Sequence, residues 1–593
     1  MAFVCIGSDK EKYNSMMSNT DITHEHAIVG NLLPTSTYTR GTKNMAAQPR
    51  VLNYDSLPDH VKHCEYAVRG ELYRAATERV AAGKEVIFTN VGNPHGLGQK
   101  PITFIRQVFA LVSAPFLLEH PDVHRIFPRD VIARAKAYMK AAPGGIGAYS
   151  DSKGLPIVRQ EFADFLQRRD GFGSDIDKIF LTNGASEAVR LGLTAMLRGP
   201  QDGILVPIPQ YPLYSAAIEL LSGSMVGYYL HEESGWSLDF EELERAVRDA
   251  KRQGVRVRGM VFINPGNPTG QCLSRQDLEG LVKFAYKHKL VLMADEVYQD
   301  NIYQTVRPFV SARHVALSMG SPYAQGLELA TFHTASKGVY GECGFRGGVM
   351  ELLNFDERVA DELYKLASIN LSPNVPGQVI LGLMVNGPRP GDESYAQYAR
   401  EKQDLLDSLR RRARAITDAF NSCEGIVCQE TEGAMYSFPK ITLPPAAMAA
   451  AKAAGKSPDV FYCLKLLETT GISTVPGSGF KQRDGTFHFR TTILPPESKF
   501  QDIIQRFLAF HSAFMAEYKG STGRGTDSRD VKRAEQQESE VNWMIPAHRP
   551  DMPKSYYRSD SGRTGRDVTC FASLQYVLFS IIIDTFDLPL SLR

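Results

Sequence analysis

Neither sign of charge prevails in this chain of 593 residues, where 67 Lys and Arg stand against 66 Asp and Glu for a formal net charge of +1. Such a balance gives no overall field to draw in nucleic acid or an anionic membrane, so small molecules are the expected partners. Close-set cysteines are absent too. Cys5, Cys64, Cys272, Cys343, Cys423, Cys428, Cys463 and Cys570 are scattered, with no CxxC among them. That excludes a zinc ribbon or a disulfide scaffold, predicts no metal, and fits reduced thiols inside a cell. A membrane span requires about 20 apolar residues, and the best candidate, 570–583, has 14. No basic segment leads into an apolar one at the start. Residues 1–44 carry Asp9, Glu11, Asp21 and Glu25 against a single arginine, Arg40, a poor match to a mitochondrial transit peptide. The expectation is a cytoplasmic protein, with mitochondria as the alternative compartment. No internal repeat is visible.

What is present is an ordinary globular composition, 43% hydrophobic and 22% charged, enough for a sizeable core. Residues 1–50 read as a variable extension, and Met45 reads as an alternative start. The periodicity of Val61, Cys64, Val68, Leu72 and Ala75 predicts one helix over 56–80. Short apolar runs follow at 178–182, 203–207, 257–264, 290–295 and 327–333, alternating with helical stretches such as 187–197 and 274–288. Ser274 and Asp277 make a capping pair at the start of the latter. Buried strands alternating with helices predict an α/β fold, a mostly parallel sheet flanked by helices over 51–385. From 386 to 519 a long helix at 395–421, strands at 426–429, 434–441 and 486–493, and a helix at 500–518 predict a smaller α+β domain. Residues 520–593, rich in Ser, Arg, Asp and Gly up to about 569, read as a disordered tail.

Ligands of such sheets bind beyond the carboxyl ends of the strands, so the polar residues after each run carry the functional argument. After 327–333 comes Thr334-Ala335-Ser336-Lys337, with Arg346 nine positions beyond the lysine in Gly344-Phe345-Arg346-Gly347-Gly348. A lone lysine there reads as a surface charge. With two hydroxyls and a planar guanidinium beside it, it reads as an amine next to a phosphate site, the requirement of pyridoxal phosphate chemistry. Asp295 closes another strand, in Met293-Ala294-Asp295-Glu296-Val297-Tyr298. It is either a helix N-cap or the partner of a cationic ring nitrogen, with Tyr298 placed to reach a ring oxygen. Asn264-Pro265-Gly266-Asn267-Pro268-Thr269-Gly270 is a rigid turn that presents Asn267. Thr182-Asn183-Gly184-Ala185-Ser186 joins a strand to a helix start, where free N–H groups suit a phosphate.

These segments in this order resemble the fold type I, class I/II pyridoxal phosphate-dependent aminotransferases, over about residues 50–515. The stretches 98–103, 144–150, 209–214, 342–348 and 488–496 resemble those of the alanine aminotransferase branch. The resemblance implies a seven-stranded large domain and the following roles. Lys337 would bind pyridoxal 5'-phosphate covalently and move the substrate proton. Asp295 would pair with the pyridine nitrogen, Asn267 and Tyr298 would bond the ring oxygen, and Tyr211 would stack on the ring. Ala185, Ser186, Thr334, Ser336 and Arg346 would hold the phosphate. Tyr149 would reach the phosphate of a partner subunit, which implies a homodimer with shared sites. Arg490 would clamp the substrate α-carboxylate, with Gly92 and Asn267 beside it. The activity implied is ping-pong transfer of the amino group of L-alanine to 2-oxoglutarate, giving pyruvate and L-glutamate. A different aminotransferase, an aminocyclopropane-carboxylate-synthase-like lyase, or a noncatalytic cofactor-binding regulator are the alternatives on the same scaffold.

Overall fold

In a computed structural model, residues 51–520 are described. The expectations for 1–50 and for the tail from 521 onward lie outside the described residues. The chain divides into a short unit ending at Cys64 and a second unit from Glu65 onward. In the first, Pro58 starts a single turn of helix, Asp59–Lys62, and Lys62 Nζ reaches back to the Asp55 carbonyl at 3.1 Å.

The second unit is built on a seven-stranded sheet. In chain order its strands are β1 (Ile179–Asn183), β2 (Asp202–Ile208), β3 (Ser224–Tyr229), β4 (Arg256–Ile263), β5 (Val291–Asp295), β6 (Leu329–Thr334) and β7 (Gly347–Leu353). Across the sheet they lie β1-β7-β6-β5-β4-β2-β3. All neighbours are parallel except β7, which runs antiparallel to both β1 and β6. Every residue of β2 and β6 is buried, as expected of strands covered on both faces. Alternate residues feed different cores. Phe180, Phe332 and Met350 join one apolar cluster, while Ile179, Leu181 and Val349 join another.

The topology places the motifs. β1, β4, β5 and β6 end at one edge of the sheet, so Asn183, Asn264, Asp295 and Thr334 emerge together there. Because β7 runs the other way, its first residue starts at that same edge, and Arg346 directly precedes it.

Several elements differ from expectation. The single helix expected over 56–80 is instead a turn at Asp59–Lys62, a 3-10 turn at Ala67–Arg69 and a helix at Glu71–Ala81 that starts after Gly70. The apolar spacing is real, but only Val68, Leu72 and Ala76 of this stretch are buried. The strand expected over 434–441 is split into Tyr436–Ser437 and Lys440–Ile441. Pro439 lies between them and has no N–H for a ladder. β3 and β7 were not anticipated, nor were the helices Pro445–Ala453 and Pro458–Thr470. The helix at Arg275–His288 carries the expected capping box of Ser274 and Asp277, and the long helix spans Tyr395–Asn421. Toward the C-terminal end, Tyr436–Ser437, Phe489–Thr492 and Val475–Pro476 form a small antiparallel sheet. Its central strand carries Arg490.

Candidate active site

Lys337 sits three residues past the end of β6 and is half-buried. Its amine lies 5.6 Å from the centre of the Tyr298 ring. A Cβ at Gly92 would lie 3.2 Å from that amine and would overlap the Tyr436 hydroxyl. The absence of a side chain at Gly92 therefore keeps this space open.

Asp295 is the last residue of β5 and 5% exposed. It caps no helix, so the first of the two sequence readings falls away. Oδ2 accepts a 2.7 Å hydrogen bond from the Tyr214 hydroxyl, while Oδ1 is buried without a partner. Burial pushes the carboxyl up to about 6, against the opposing pull of the Tyr214 hydrogen bond, the Val297 N–H and the Lys337 charge. A buried acceptor left open at a strand end suits a cationic N–H, the species a protonated pyridine nitrogen supplies.

Arg490 is 1% exposed and sits between two aromatic faces, 4.2 Å from the centre of Tyr436 and 4.9 Å from that of Phe480. Nη2 donates to the Asn90 carbonyl at 2.6 Å and Nη1 to Asn267 Oδ1 at 3.0 Å. Nε has no partner, and each Nη retains a second N–H. The plane of the fork is fixed by the rings, and its spare N–H groups suit a carboxylate. Asn267 Nδ2 donates to the Tyr298 hydroxyl at 3.4 Å, which donates to the Tyr436 hydroxyl at 3.2 Å. Tyr436 stacks back on Arg490, so Arg490, Asn267, Tyr298 and Tyr436 close a ring of contacts.

Tyr211 starts the helix Pro212–Leu220 and is half-buried. Its hydroxyl lies 2.9 Å from that of Tyr66. Burial holds the Tyr211 and Tyr214 phenols well above their ordinary range.

The phosphate end is more open. Arg346 is exposed and left-handed, with φ 57°. It donates to the Asn183 and Cys343 carbonyls at 3.0 and 3.1 Å, and to the hydroxyls of Ser186 and Ser336 at 3.4 Å each. Ser186 lies in the first turn of the helix Ala185–Met196, whose start has no side-chain cap. Gly184 has φ 85°, and a Cβ there would overlap the Arg346 guanidinium. Uncapped N–H groups, a guanidinium and two hydroxyls form an anion cradle. Thr334 is placed differently from Ser336. Its hydroxyl donates to the Gly347 carbonyl at 2.7 Å and accepts from the Ser336 N–H at 3.2 Å, so it braces the loop from inside. Tyr149 is 77% exposed.

Tyr214, quoted only as the end of the stretch 209–214, carries no role in the sequence reading, and neither do Tyr436, Asn90 and Tyr66. The residues present fit pyridoxal phosphate at both ends: an anion cradle, an amine, an open buried carboxylate oxygen and a carboxylate fork.

The family model for aminotransferase class I and II matches residues 121–507. Glutamate–glyoxylate aminotransferase 1 of Arabidopsis thaliana is 60% identical over 80% of this chain and 98% of its own length. Alanine aminotransferase 2 of Panicum miliaceum is 49% identical over 78% and 98%, and human alanine aminotransferase 1 is 46% identical over 79% and 96%. Among solved structures, an alanine aminotransferase from Pyrococcus furiosus aligns with a TM-score of 0.62 at 25% identity, over 77% of this chain and all of that one. Among the described residues no helix is long and apolar enough to cross a membrane. With the match spanning the sheet, its carboxyl edge and the strand of Arg490, the chain belongs to the class I and II aminotransferases and is a pyridoxal phosphate-dependent enzyme of fold type I.

Proposed function

We propose that the protein transfers amino groups between L-alanine and 2-oxoglutarate in a ping-pong cycle, with the buried fork of Arg490 taking the α-carboxylate of every substrate in turn. The observation behind this reading is that fork: an arginine held flat between Tyr436 and Phe480, with Nε unpartnered, on the strand beside the one carrying Tyr436. Alanine offers only a methyl group beyond its carboxylate and amine, so a fixed carboxylate anchor must supply most of its orientation.

Lys337 would anchor the cofactor covalently, and Ser186, Ser336, Arg346 and the N–H groups at Ala185 would hold its phosphate, with Thr334 bracing that loop. Asp295 Oδ1 would take the ring N–H, and Asn267 and Tyr298 would bond the ring oxygen, with Tyr211 on the ring face. When bound, pyridoxal phosphate supplies an electron sink that acidifies the substrate Cα–H. Asp295 keeps that sink cationic by holding the ring proton, provided its own carboxyl is ionised. Lys337 Nζ, as the amine in this space, would take the Cα proton and return it. Arg490 sets which bond at Cα stands ready to break. Tyr149, on the surface, would complete the phosphate site of a second subunit, which makes the working form a homodimer. The cytoplasm is the proposed compartment. Relatives from Dictyostelium discoideum and Arabidopsis thaliana carry "mitochondrial" in their names, and tagged-protein imaging decides between the two.

A second reading is favoured by a specific observation. The two relatives at 60% and 58% identity are named glutamate–glyoxylate aminotransferases. The same fork would serve glutamate as donor and glyoxylate as acceptor. The test is kcat/KM for alanine, glutamate, aspartate, tyrosine and kynurenine, each against 2-oxoglutarate and glyoxylate where donor and acceptor are not a matched pair. Alanine preferred with 2-oxoglutarate supports the first reading, and glutamate preferred with glyoxylate supports the second. An aromatic donor or kynurenine outrunning both, or product formed without any oxo acid, overturns the substrate reading.

A further inference from the structure

Tyr436 meets several of the proposed site residues and has been assigned no role. It stands at the start of a two-residue strand whose partner strand carries Arg490. Its ring lies over the Arg490 guanidinium at 4.2 Å. Its hydroxyl receives the Tyr298 hydroxyl hydrogen at 3.2 Å and borders the same small space as the Lys337 amine, the two lying 2.4 and 3.2 Å from where a Cβ at Gly92 would stand. It occupies space that a Cβ at Gly92 would fill. One side chain therefore meets the proposed carboxylate anchor with its face and reaches the space beside the proposed reactive amine with its tip.

We propose that Tyr436 is a positioning residue of the transamination site, tying the Arg490 fork to the Lys337 amine so that a bound carboxylate and the amine keep a fixed relation. The proposal rests on the roles given above to Lys337 and Arg490. Its two halves are physically separable. The ring fixes the plane of the fork through stacking and cation–π attraction, so it acts on substrate binding. The hydroxyl stands beside the amine, so it acts on the proton-transfer step. Burial by itself would raise the phenol. The positive charges of Lys337 and Arg490, with the Tyr298 hydrogen bond, bring it below its ordinary value instead. The other groups in this neighbourhood are the phenols of Tyr298 and Tyr211, both held high by burial, and Asp295 beyond Tyr298. None of these adds a cation, so Lys337 and Arg490 set the protonation of Tyr436. A carboxylate bound at Arg490 would cancel one of the two cations and raise the phenol.

The test compares cofactor-loaded wild type, Tyr436→Phe and Tyr436→Leu. Tyr436→Phe keeps the ring and should leave KM for donor and acceptor within about threefold while kcat falls by about tenfold to a hundredfold, with an altered pH profile. Tyr436→Leu should also raise KM for both substrates, by about tenfold. A second readout needs no activity. Phenolate absorbance of the cofactor-free protein, titrated toward alkaline pH, should show its earliest step in wild type and lack it in Tyr436→Phe, and saturating succinate should move that step upward. Unchanged kcat and pH profile in Tyr436→Phe, or an early phenolate step that persists in it, overturns the proposal. Borohydride trapping of the cofactor on Lys337 in each variant separates the two failures. If the adduct forms elsewhere in wild type, the reading of the site fails. If it forms on Lys337 and Tyr436→Phe is silent, only the role of Tyr436 fails.

Discussion

The two ends of the site are built in opposite ways. At the proposed phosphate end, an exposed Arg346, the Ser336 hydroxyl from a loop, the Ser186 hydroxyl from a helix and the backbone of that helix start surround the cradle, and its side chains already bond one another. At the other end Asp295 and Arg490 are buried charges, each with one atom that has no partner in the protein. Many weak, solvated contacts share the work at the first end, and losing one changes little. At the second end each buried charge does a task no neighbour can take over. The difference predicts that sensitivity to substitution is concentrated at the buried end.

The largest effect is expected from Asp295→Asn. The amide cannot hold a ring nitrogen protonated, so the single-turnover rate with alanine should fall by about a thousandfold or more, roughly 4 kcal/mol of barrier. A loss within about tenfold would break the contrast. The same substitution should raise the Tm of the cofactor-free protein at pH 7. The Asp295 carboxyl lies at 3.8 when unperturbed and is pushed up to about 6 in the fold. The folded form therefore holds the extra proton between these values, and stability declines as pH rises from about 4 to about 6. Above that window the full cost of burying the charge is present, and the Asn variant escapes it. The gain in Tm should vanish below about pH 4.

Next comes Arg490→Lys. Lysine keeps the charge but loses the planar fork and the stacking between Tyr436 and Phe480. Both half-reactions should weaken together, with kcat/KM for donor and acceptor each down by about a hundredfold. A loss confined to one substrate would mean that the two carboxylates bind at different places. The smallest effects belong to the phosphate end. Ser186→Ala or Ser336→Ala should weaken cofactor binding by only about tenfold, the lower end for one hydrogen bond to a charged group, as read by fluorescence titration of the cofactor-free protein. A hundredfold loss from either would show that the cradle is not shared.

The same division marks what could be read from the sequence. Lys337 and Asn267 follow an apolar strand in a short polar loop, Asp295 closes one and Ser186 opens the helix after another, so chain position alone places them at one edge of a parallel sheet. The structure brings them to that edge. Tyr436 meets Tyr298 across 138 positions of chain, and Asn90 meets Arg490 across 400. No local pattern announces such contacts. Tyr214 was three residues past a quoted aromatic and faces Asp295 because a helix turn carries it there. β3 escaped because it is a half-buried edge strand with Gly227 inside its apolar run, and β7 because its first two glycines read as loop. The helices Pro445–Ala453 and Pro458–Thr470 did carry a signal, a proline at their first position, which marks a helix start as readily as a turn.

The central claim is that Lys337 is the amine that binds the cofactor at the edge of the sheet. The direct measurement is borohydride reduction of the cofactor-loaded protein followed by peptide mapping, beside the visible spectrum of Lys337→Ala. The account predicts a single pyridoxyl adduct on the peptide containing Thr334-Ala335-Ser336-Lys337, and loss of the covalently bound chromophore in a Lys337→Ala variant that remains folded. An adduct on any other lysine, or a Lys337→Ala protein that still yields a borohydride-stable adduct, would contradict it.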